Sequence, residues 1–340
     1  MNAKSALGNS TTRLGSIPIG VPLGLLVASI LACVSSPALP TPGPFPAPGV
    51  LQMTFDYAHY TDVMWSPDGN WIAAKRCRVQ NYEAACLLSE NELTLLDPMS
   101  GRIEYIDARA ALPDMEWMTP TLWTPDSESI MLSIAWKTST QGHEGRPWLI
   151  AYNLRDGSFE DSQLGGTPIA WNEDQTRILM VSGVDGQRAG LGWFDPMTGE
   201  FVPEIIYGPG EAYGPYALSP DGKALLRVAG RTTTDCTLEI LLLGVDQDFS
   251  PFIQRACQPG WSPDGTHLAY IQTDYPSSGQ WLVIADADGS NPQHLFSGAL
   301  PFPMSFPSWS PDGKKIAFTY GGAQNTNAIY IAEVPEELRR

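Results

Sequence analysis

The chain has 340 residues and a formal net charge of −17, with 20 Lys and Arg against 37 Asp and Glu. So acidic a body repels nucleic acid and anionic lipid surfaces, which excludes both as partners of the folded part. The acidity itself points to solubility rather than to a ligand, and the five Cys suit an oxidising compartment outside the cytoplasm.

Residues 1–33 read as an export signal. Lys4 and Arg13 form a sparse basic region with no acidic residue, and the apolar run from Val21 to Ala32 is too short to span a bilayer comfortably. The run ends in Ile30-Leu31-Ala32-Cys33, which resembles the lipobox of bacterial lipoproteins. That resemblance implies an acylated Cys33 and a lipid anchor in the cell envelope. The alternatives are an uncleaved anchor beginning at Leu14 and plain secretion, and all three place the body of the protein outside the cytoplasm. Residues 34–49 form a spacer, with Pro37, Pro40, Pro42, Pro44, Pro46 and Pro48 among small residues. Such composition forms no core and favours an extended polyproline helix. At roughly 3.1 Å per residue the spacer holds the body of the protein on the order of 50 Å from the membrane.

Residues 50–340 are organised by one motif. Trp65-Ser66-Pro67-Asp68-Gly69 recurs at Trp261 to Gly265 and at Trp309 to Gly313, with Asp264 and Asp312 in the place of Asp68. Looser copies centre on Asp126, Asp174 and Asp221, so the unit recurs about every 48 residues. The motif is turn chemistry. Pro presets its own backbone angle, Asp bonds nearby backbone, and Gly takes the positive φ that leads back into a strand. An alternating apolar run comes after each copy, as in Lys315-Ile316-Ala317-Phe318, and a period of two predicts a strand. The Trp ends the preceding strand, where a large flat side chain fills the space between neighbouring sheets. The turn explains every residue of the motif, so the six Asp are read as structural.

A second marker comes after the third strand of most repeats: Leu96 to Gly101, Leu154 to Gly157, Phe194 to Gly199 and Asp286 to Gly289. These are hairpin turns, and the Asp286 to Asn291 stretch lacks the wider oxygen set that a calcium loop needs. Each repeat is then four strands, a to d, joined by tight turns between a and b and between c and d. The prediction is an all-β fold: a six-bladed β-propeller of four-stranded antiparallel blades. The last repeat lacks its own strand d, and Leu51 to Asp56 alternates correctly, so this N-terminal strand is expected to close the last blade. The Trp-Ser-Pro-Asp-Gly repeats, with Ala285-Asp286-Ala287-Asp288-Gly289-Ser290-Asn291 before the last copy, resemble the propeller domain of TolB and related WD-like repeat proteins. Similar repeats form the propeller of prolyl-oligopeptidase-like peptidases. The resemblance covers residues 51–340 and implies a fold, while saying little about activity.

With Cys33 assigned to lipid, four Cys remain. The favoured pairs are Cys77–Cys86 and Cys236–Cys257, the second joining the outer ends of adjacent strands c and d of one blade; free buried thiols are the alternative. Strand parity places the tight turns on one face of the disc and the long b–c and d–a loops on the other. Variable loops gathered on a rigid scaffold are how binding faces are built. That face gathers Arg and aromatic residues, the usual interface anchors, with Arg146, Arg231, Tyr275, Trp117 and Tyr213 as the candidates. Four His show no metal spacing, and no nucleophile elbow or phosphate loop occurs. No catalytic residue, cofactor or metal is therefore assigned. The expected function is a membrane-tethered binding module, monomeric, for an unidentified protein or glycan partner at the long-loop face. The alternative is a propeller hydrolase or lyase with its site in the channel.

Overall fold

The computed structural model describes residues 49–78, 91–136, 148–184, 188–207, 214–232, 235–246, 248–274, 279–299, 304–321 and 326–339. The chain divides into two units, Met1–Leu39 and Pro40–Arg340, and the described residues all belong to the second. The export signal, Cys33 and the proline spacer up to residue 48 lie outside the described residues.

The second unit is built from strands and short turns. In chain order they are β1 (Val50–Gln52), β2 (Ala58–Trp65), β3 (Ile72–Arg78), β4 (Asn91–Leu96), β5 (Ile103–Ile106), β6 (Met115–Trp123), β7 (Ser129–Trp136), β8 (Trp148–Asn153) and β9 (Phe159–Gly165). Next come β10 (Thr167–Trp171), β11 (Ile178–Gly183), β12 (Ala189–Asp195), β13 (Glu200–Tyr207), β14 (Tyr216–Leu218), β15 (Ala224–Thr232), β16 (Asp235–Leu242) and β17 (Ser250–Gln254). The last are β18 (Ala256–Trp261), β19 (His267–Asp274), β20 (Gly279–Asp286), β21 (Gln293–Ala299), β22 (Ser305–Trp309), β23 (Lys315–Gly321) and β24 (Asn327–Glu333). Within each repeat, neighbours in sequence pair antiparallel, which is the meander of a propeller blade.

Four separate four-stranded sheets result: β6–β9, β10–β13, β14–β17 and β18–β21. The expectation of six separate sheets is corrected here. The first and last repeats share one eight-stranded sheet, ordered β22-β23-β24-β2-β3-β4-β5, with β1 paired to β24. The join is a parallel bridge, His59 opposite Asn327, where the chain's two ends meet. The N-terminal strand pairs antiparallel with β24 through Val50–Ala332, Leu51–Ile331 and Gln52–Tyr330, and is shorter than the stretch Leu51 to Asp56 suggested.

The repeated motif does what its chemistry requires. Ser66, Ser219, Ser262 and Ser310 each donate a hydroxyl hydrogen bond of 2.6 Å to Oδ1 of the Asp two residues on, and Thr124 does the same for Asp126. The same Oδ1 accepts the backbone N–H two residues further along, as from Asn70 to Asp68 and Thr266 to Asp264. In the third repeat Asn172 replaces Ser, and its Oδ1 accepts N–H bonds from Thr176 and Arg177. Gly69 sits at φ 75°, and the copies without Gly force Ser127 and Gln175 to φ 62° and 59°, a conformation that side chains other than Gly rarely adopt.

Four of the motif Trp fill the gap between sheets and also bond across it, whereas Trp65 Nε1 is buried without a partner. Trp171 Nε1 donates to Trp123 O at 2.9 Å, Trp309 to Gly260 O at 3.1 Å, Trp261 to Ala217 O at 3.2 Å and Trp123 to Met64 O at 3.4 Å. Each spoke ties one innermost strand to the innermost strand of the repeat before it. Leu218 stands in the fourth repeat and has no such donor. The cores lie between sheets. One cluster joins Ala73, Leu93 and Leu95 to Met118, Ile130, Leu132 and Ile150 across the first and second repeats.

Candidate binding site

Of the expected loop residues, only Trp117 is fully described. Arg146, Tyr213, Tyr275 and Cys86 lie outside the described residues, as does the side chain of Arg231 in β15. Trp117 is described: it is half-buried near the start of β6, and Lys75 Nζ stands 5.9 Å above its ring. Two other loop cations are held locally, Arg78 by Glu92 and Arg255 by Asp274 at 3.2 Å. Arg76 braces the N-terminal segment instead, with ion pairs to Asp56 at 2.6 Å and to Glu92.

Cys236 and Cys257 form a disulfide. Its placement differs from the expectation. Cys257 begins not after an outer strand but in β18, the innermost strand of the next repeat, so the bond staples β16 to β18 across two sheets. Cys77 in β3 is also disulfide-bonded, and its expected partner Cys86 is outside the described residues.

The side chains that do converge lie on the innermost strands. β2, β6, β10, β14, β18 and β22 carry the motif Trp or its substitute at their ends, and five of the six break register midway. The breaks fall at Thr61/Met64, Pro120/Leu122, Pro168/Ala170, Cys257/Gly260 and Ser305/Ser308. Proline marks the irregularity: Pro120, Pro168 and Pro215 stand three residues before the motif's Trp or Leu, and Pro259 and Pro307 two before. Proline has no N–H to give to a ladder, so it belongs at such bulges. The first repeat alone has an acid there. Asp62 occupies the position of Pro120 and Pro168, with φ 55°.

A cavity of about 480 Å³ opens between four of these strands, and Asp62 lines it together with Thr119, Thr121, Thr167 and Tyr216. The wall between them is apolar, built by Pro120, Pro168, Pro215, Ile169 and Val181. Thr167 and Gly214 stand at the ends of their strands away from the tight turns, so the cavity occupies the long-loop half of these strands. Thr61 Oγ1 donates to Asp62 Oδ2 at 2.8 Å, Thr121 Oγ1 to Met131 O at 3.0 Å, and Tyr216 to the Tyr207 hydroxyl at 3.3 Å. Burial pushes the Asp62 carboxyl above the usual carboxylate range, against the Thr61 hydrogen bond and the charge of Lys75. Burial likewise pushes Lys75 down, against the charge of Asp62. Among the described residues the two make no contact ion pair; they attract through space between the first two strands of the first repeat. Burial, with the Tyr207 contact, raises Tyr216 well above the ordinary phenol range.

A half-buried carboxylate at positive φ, with a half-buried ammonium on the adjacent strand, is a cost that a fold bears at functional sites more often than elsewhere. Sequence reading missed Asp62, though its signal was present: aligned on the motif Trp, it is the one inner-strand position where an acid replaces proline. Among the described residues no group of three or more His, Cys, Asp or Glu side chains could hold a metal ion. No helix among them is long and apolar enough to cross a membrane.

No family model matches the chain. The chain is 36% identical over 77 residues to the Tol-Pal system protein TolB of Xanthomonas campestris pv. campestris, a match that covers 22% of this chain and 17% of the relative. Among solved structures it is similar to a putative TolB from Agrobacterium tumefaciens, with a TM-score of 0.54 and 16% identity over 84% of this chain and 97% of that one. TolB from Acinetobacter baumannii gives a TM-score of 0.52 and 16% identity over 81% of this chain and 63% of that one. The chain thus spans a minor part of the curated relatives it matches. Its fold is a β-propeller similar to that of these TolB structures.

Proposed function

We propose that this TolB-like propeller is an extracytoplasmic binding module, tethered to the envelope membrane through an acylated Cys33 and the proline spacer, that receives a protein or glycan partner at its long-loop face. The reading counts the eight-stranded sheet as two four-stranded units, so that six repeats make a six-bladed ring. The observation that carries it is the cavity at the long-loop half of the inner strands, with the buried Asp62 on its wall. Small-molecule and peptide-end sites are concave, mostly apolar and set with a few placed polar groups, which matches the proline and aliphatic wall around Asp62 and the three threonines. Arg146, Arg231, Tyr213, Tyr275 and Trp117 are the loop-face residues proposed to contact the partner.

The tight-turn face offers less. Lys223 and Lys314 there are paired with the Asp of their own turns, at 3.2 Å and 3.5 Å. The test is a photo-reactive amino acid placed at Trp117 or at Lys223 in the full-length protein within its native envelope. A partner adduct is expected from position 117 and not from 223. Adducts from 223 alone would reverse the face and sink the reading.

A further inference from the structure

Asp62 poses a specific problem of chemistry. Its carboxylate is enclosed by protein on the cavity wall, and it accepts one side-chain hydrogen bond, from Thr61. A carboxylate has about four acceptor sites, so most of its capacity faces the cavity unfilled. Buried acceptors left unmade are costly, and a bound molecule that supplies donors removes that cost. Two further groups are open. Among the described residues the Thr119 and Thr167 hydroxyls, both on the cavity wall, carry no hydrogen bond. Thr121 has given its proton to Met131 O and offers its oxygen as an acceptor.

The charge balance then selects between donor-rich ligands. An ammonium or guanidinium group would satisfy Asp62, but Lys75 on the adjacent strand β3 already attracts that carboxylate. A second cation would meet the repulsion of the first. An anion would meet Asp62 itself. What remains is a neutral molecule with several hydroxyls, which can donate to the carboxylate and exchange hydrogen bonds with hydroxyl side chains. The apolar part of the wall fits the same class. Pro120, Pro168 and Pro215 present saturated ring faces beside Ile169 and Val181, surfaces suited to the C–H face of a sugar ring. The volume of about 480 Å³ lies within the range of roughly 300–1,000 Å³ usual for small-ligand sites.

We propose that this cavity is a sugar site, taking a neutral pyranose ring whose hydroxyls donate to Asp62 and bond to Thr119, Thr121 and Thr167. The inference rests on the reading of the propeller as a binding module and names the chemistry that it binds. Asp62 is the orienting acceptor, held at positive φ where the second, third and fourth repeats carry proline.

The experiment titrates the purified full-length protein with methyl pyranosides of gluco, galacto and manno configuration, using calorimetry and saturation-transfer NMR. Lysine amide and acetate serve as cationic and anionic comparators. At least one pyranoside is expected to saturate the site, and neither comparator to compete with it. Asp62→Asn should weaken that binding about tenfold, which is ~1.4 kcal/mol. Asn tolerates the left-handed backbone, so the variant is expected to fold, and its melting curve checks this. Thr167→Val, at the rim, gives a second reading should Asp62→Asn misfold, and is expected to weaken binding severalfold. A blocked trisaccharide that binds more tightly than its methyl glycoside assigns the site to glycan chains; weaker binding assigns it to free monosaccharides. No saturable pyranoside, unchanged affinity in a folded Asp62→Asn, or tighter binding of lysine amide than of any sugar overturns the proposal. If crosslinking from position 117 still captures a partner in that case, the sugar assignment alone has failed and the binding-module reading stands.

Discussion

The closure of the ring can be tested at one hydroxyl. Thr54 lies just past β1 and is 1% exposed. Its Oγ1 accepts the N–H of Ile329 in β24 at 3.0 Å, while Met53 N–H donates to Ile329 O at 2.8 Å. The N-terminal segment therefore brackets one peptide of the last repeat from both sides. Thr54→Val keeps the shape and removes the acceptor. Ile329 is fully buried, so its N–H is left without a partner, which costs about 1–3 kcal/mol. Domains approaching this size lose roughly 2–4 °C per kcal/mol, giving an expected fall of about 2–12 °C in melting temperature. Thr54→Ser retains the acceptor and should recover most of the loss. Differential scanning calorimetry of the three proteins decides the matter. If Thr54→Val melts with the wild type, β1 does not clasp the last repeat and closure must reside elsewhere.

Reduction of the Cys236–Cys257 bond, or the double Ser variant, should cost about 3 kcal/mol for a loop of 21 residues, read as a lower midpoint in urea. Cys33→Ala should abolish incorporation of a fatty-acid analogue in cells; a wild type that takes up no label and begins at Met1 would identify an uncleaved anchor. Hydrogen bonds from Thr124, Thr176 and Ser219 hold Asp126, Asp174 and Asp221 below the usual carboxylate range. The stability these turns add is present above the unfolded value near ~3.9 and is lost as pH falls through the lower folded values, so melting temperature should drop on acidification below about pH 4, and Ser219→Ala should flatten that drop. Asp62 has the opposite sign, since burial raises it: its ionised form burdens the fold above the folded value, and the burden lifts as pH falls toward the unfolded one. With Lys75 the charged group facing it, wild type should gain stability relative to Asp62→Asn between neutral pH and about pH 4; a difference in melting temperature that stays constant across that window would refute the assignment.

The parts of the fold legible in the sequence are the parts that repeat. Turn chemistry is local, so Ser66, Pro67, Asp68 and Gly69 announce their conformation without help from the rest of the chain, and the observed bonds from Ser66 to Asp68 and from Asp68 to Asn70 are those the motif demands. The spacing of the copies then set the number of strands. Three features depend on contacts between repeats and escaped. The join of the first and last repeats is made by His59 and Asn327, residues with no pattern of their own. The Trp–carbonyl spokes need the neighbouring strand to be in place before the acceptor exists. The disulfide was paired correctly but placed wrongly, because Cys257 begins an innermost strand where an outer-strand loop was expected.

The same logic explains why the candidate site was missed. A search for repeated residues rewards sameness, whereas a ring of similar units becomes a specific receptor only where one unit departs from the others. Proline at the inner-strand bulge is inert: it fixes the backbone and presents a saturated ring to the channel. In the first repeat that proline is replaced by Asp62, which gives up the fixed φ, takes a strained one and encloses a charge among apolar and hydroxyl side chains. The fifth repeat also leaves proline at this position and takes a positive φ, at Gln258 with φ 52°, so what sets the first repeat apart is the acid itself, and the acid is most simply explained by what it contacts in the cavity. The inner strands therefore supply both parts of the proposed binding site: Pro120, Pro168 and Pro215 build part of the cavity wall, and Asp62 is the acid set beside them.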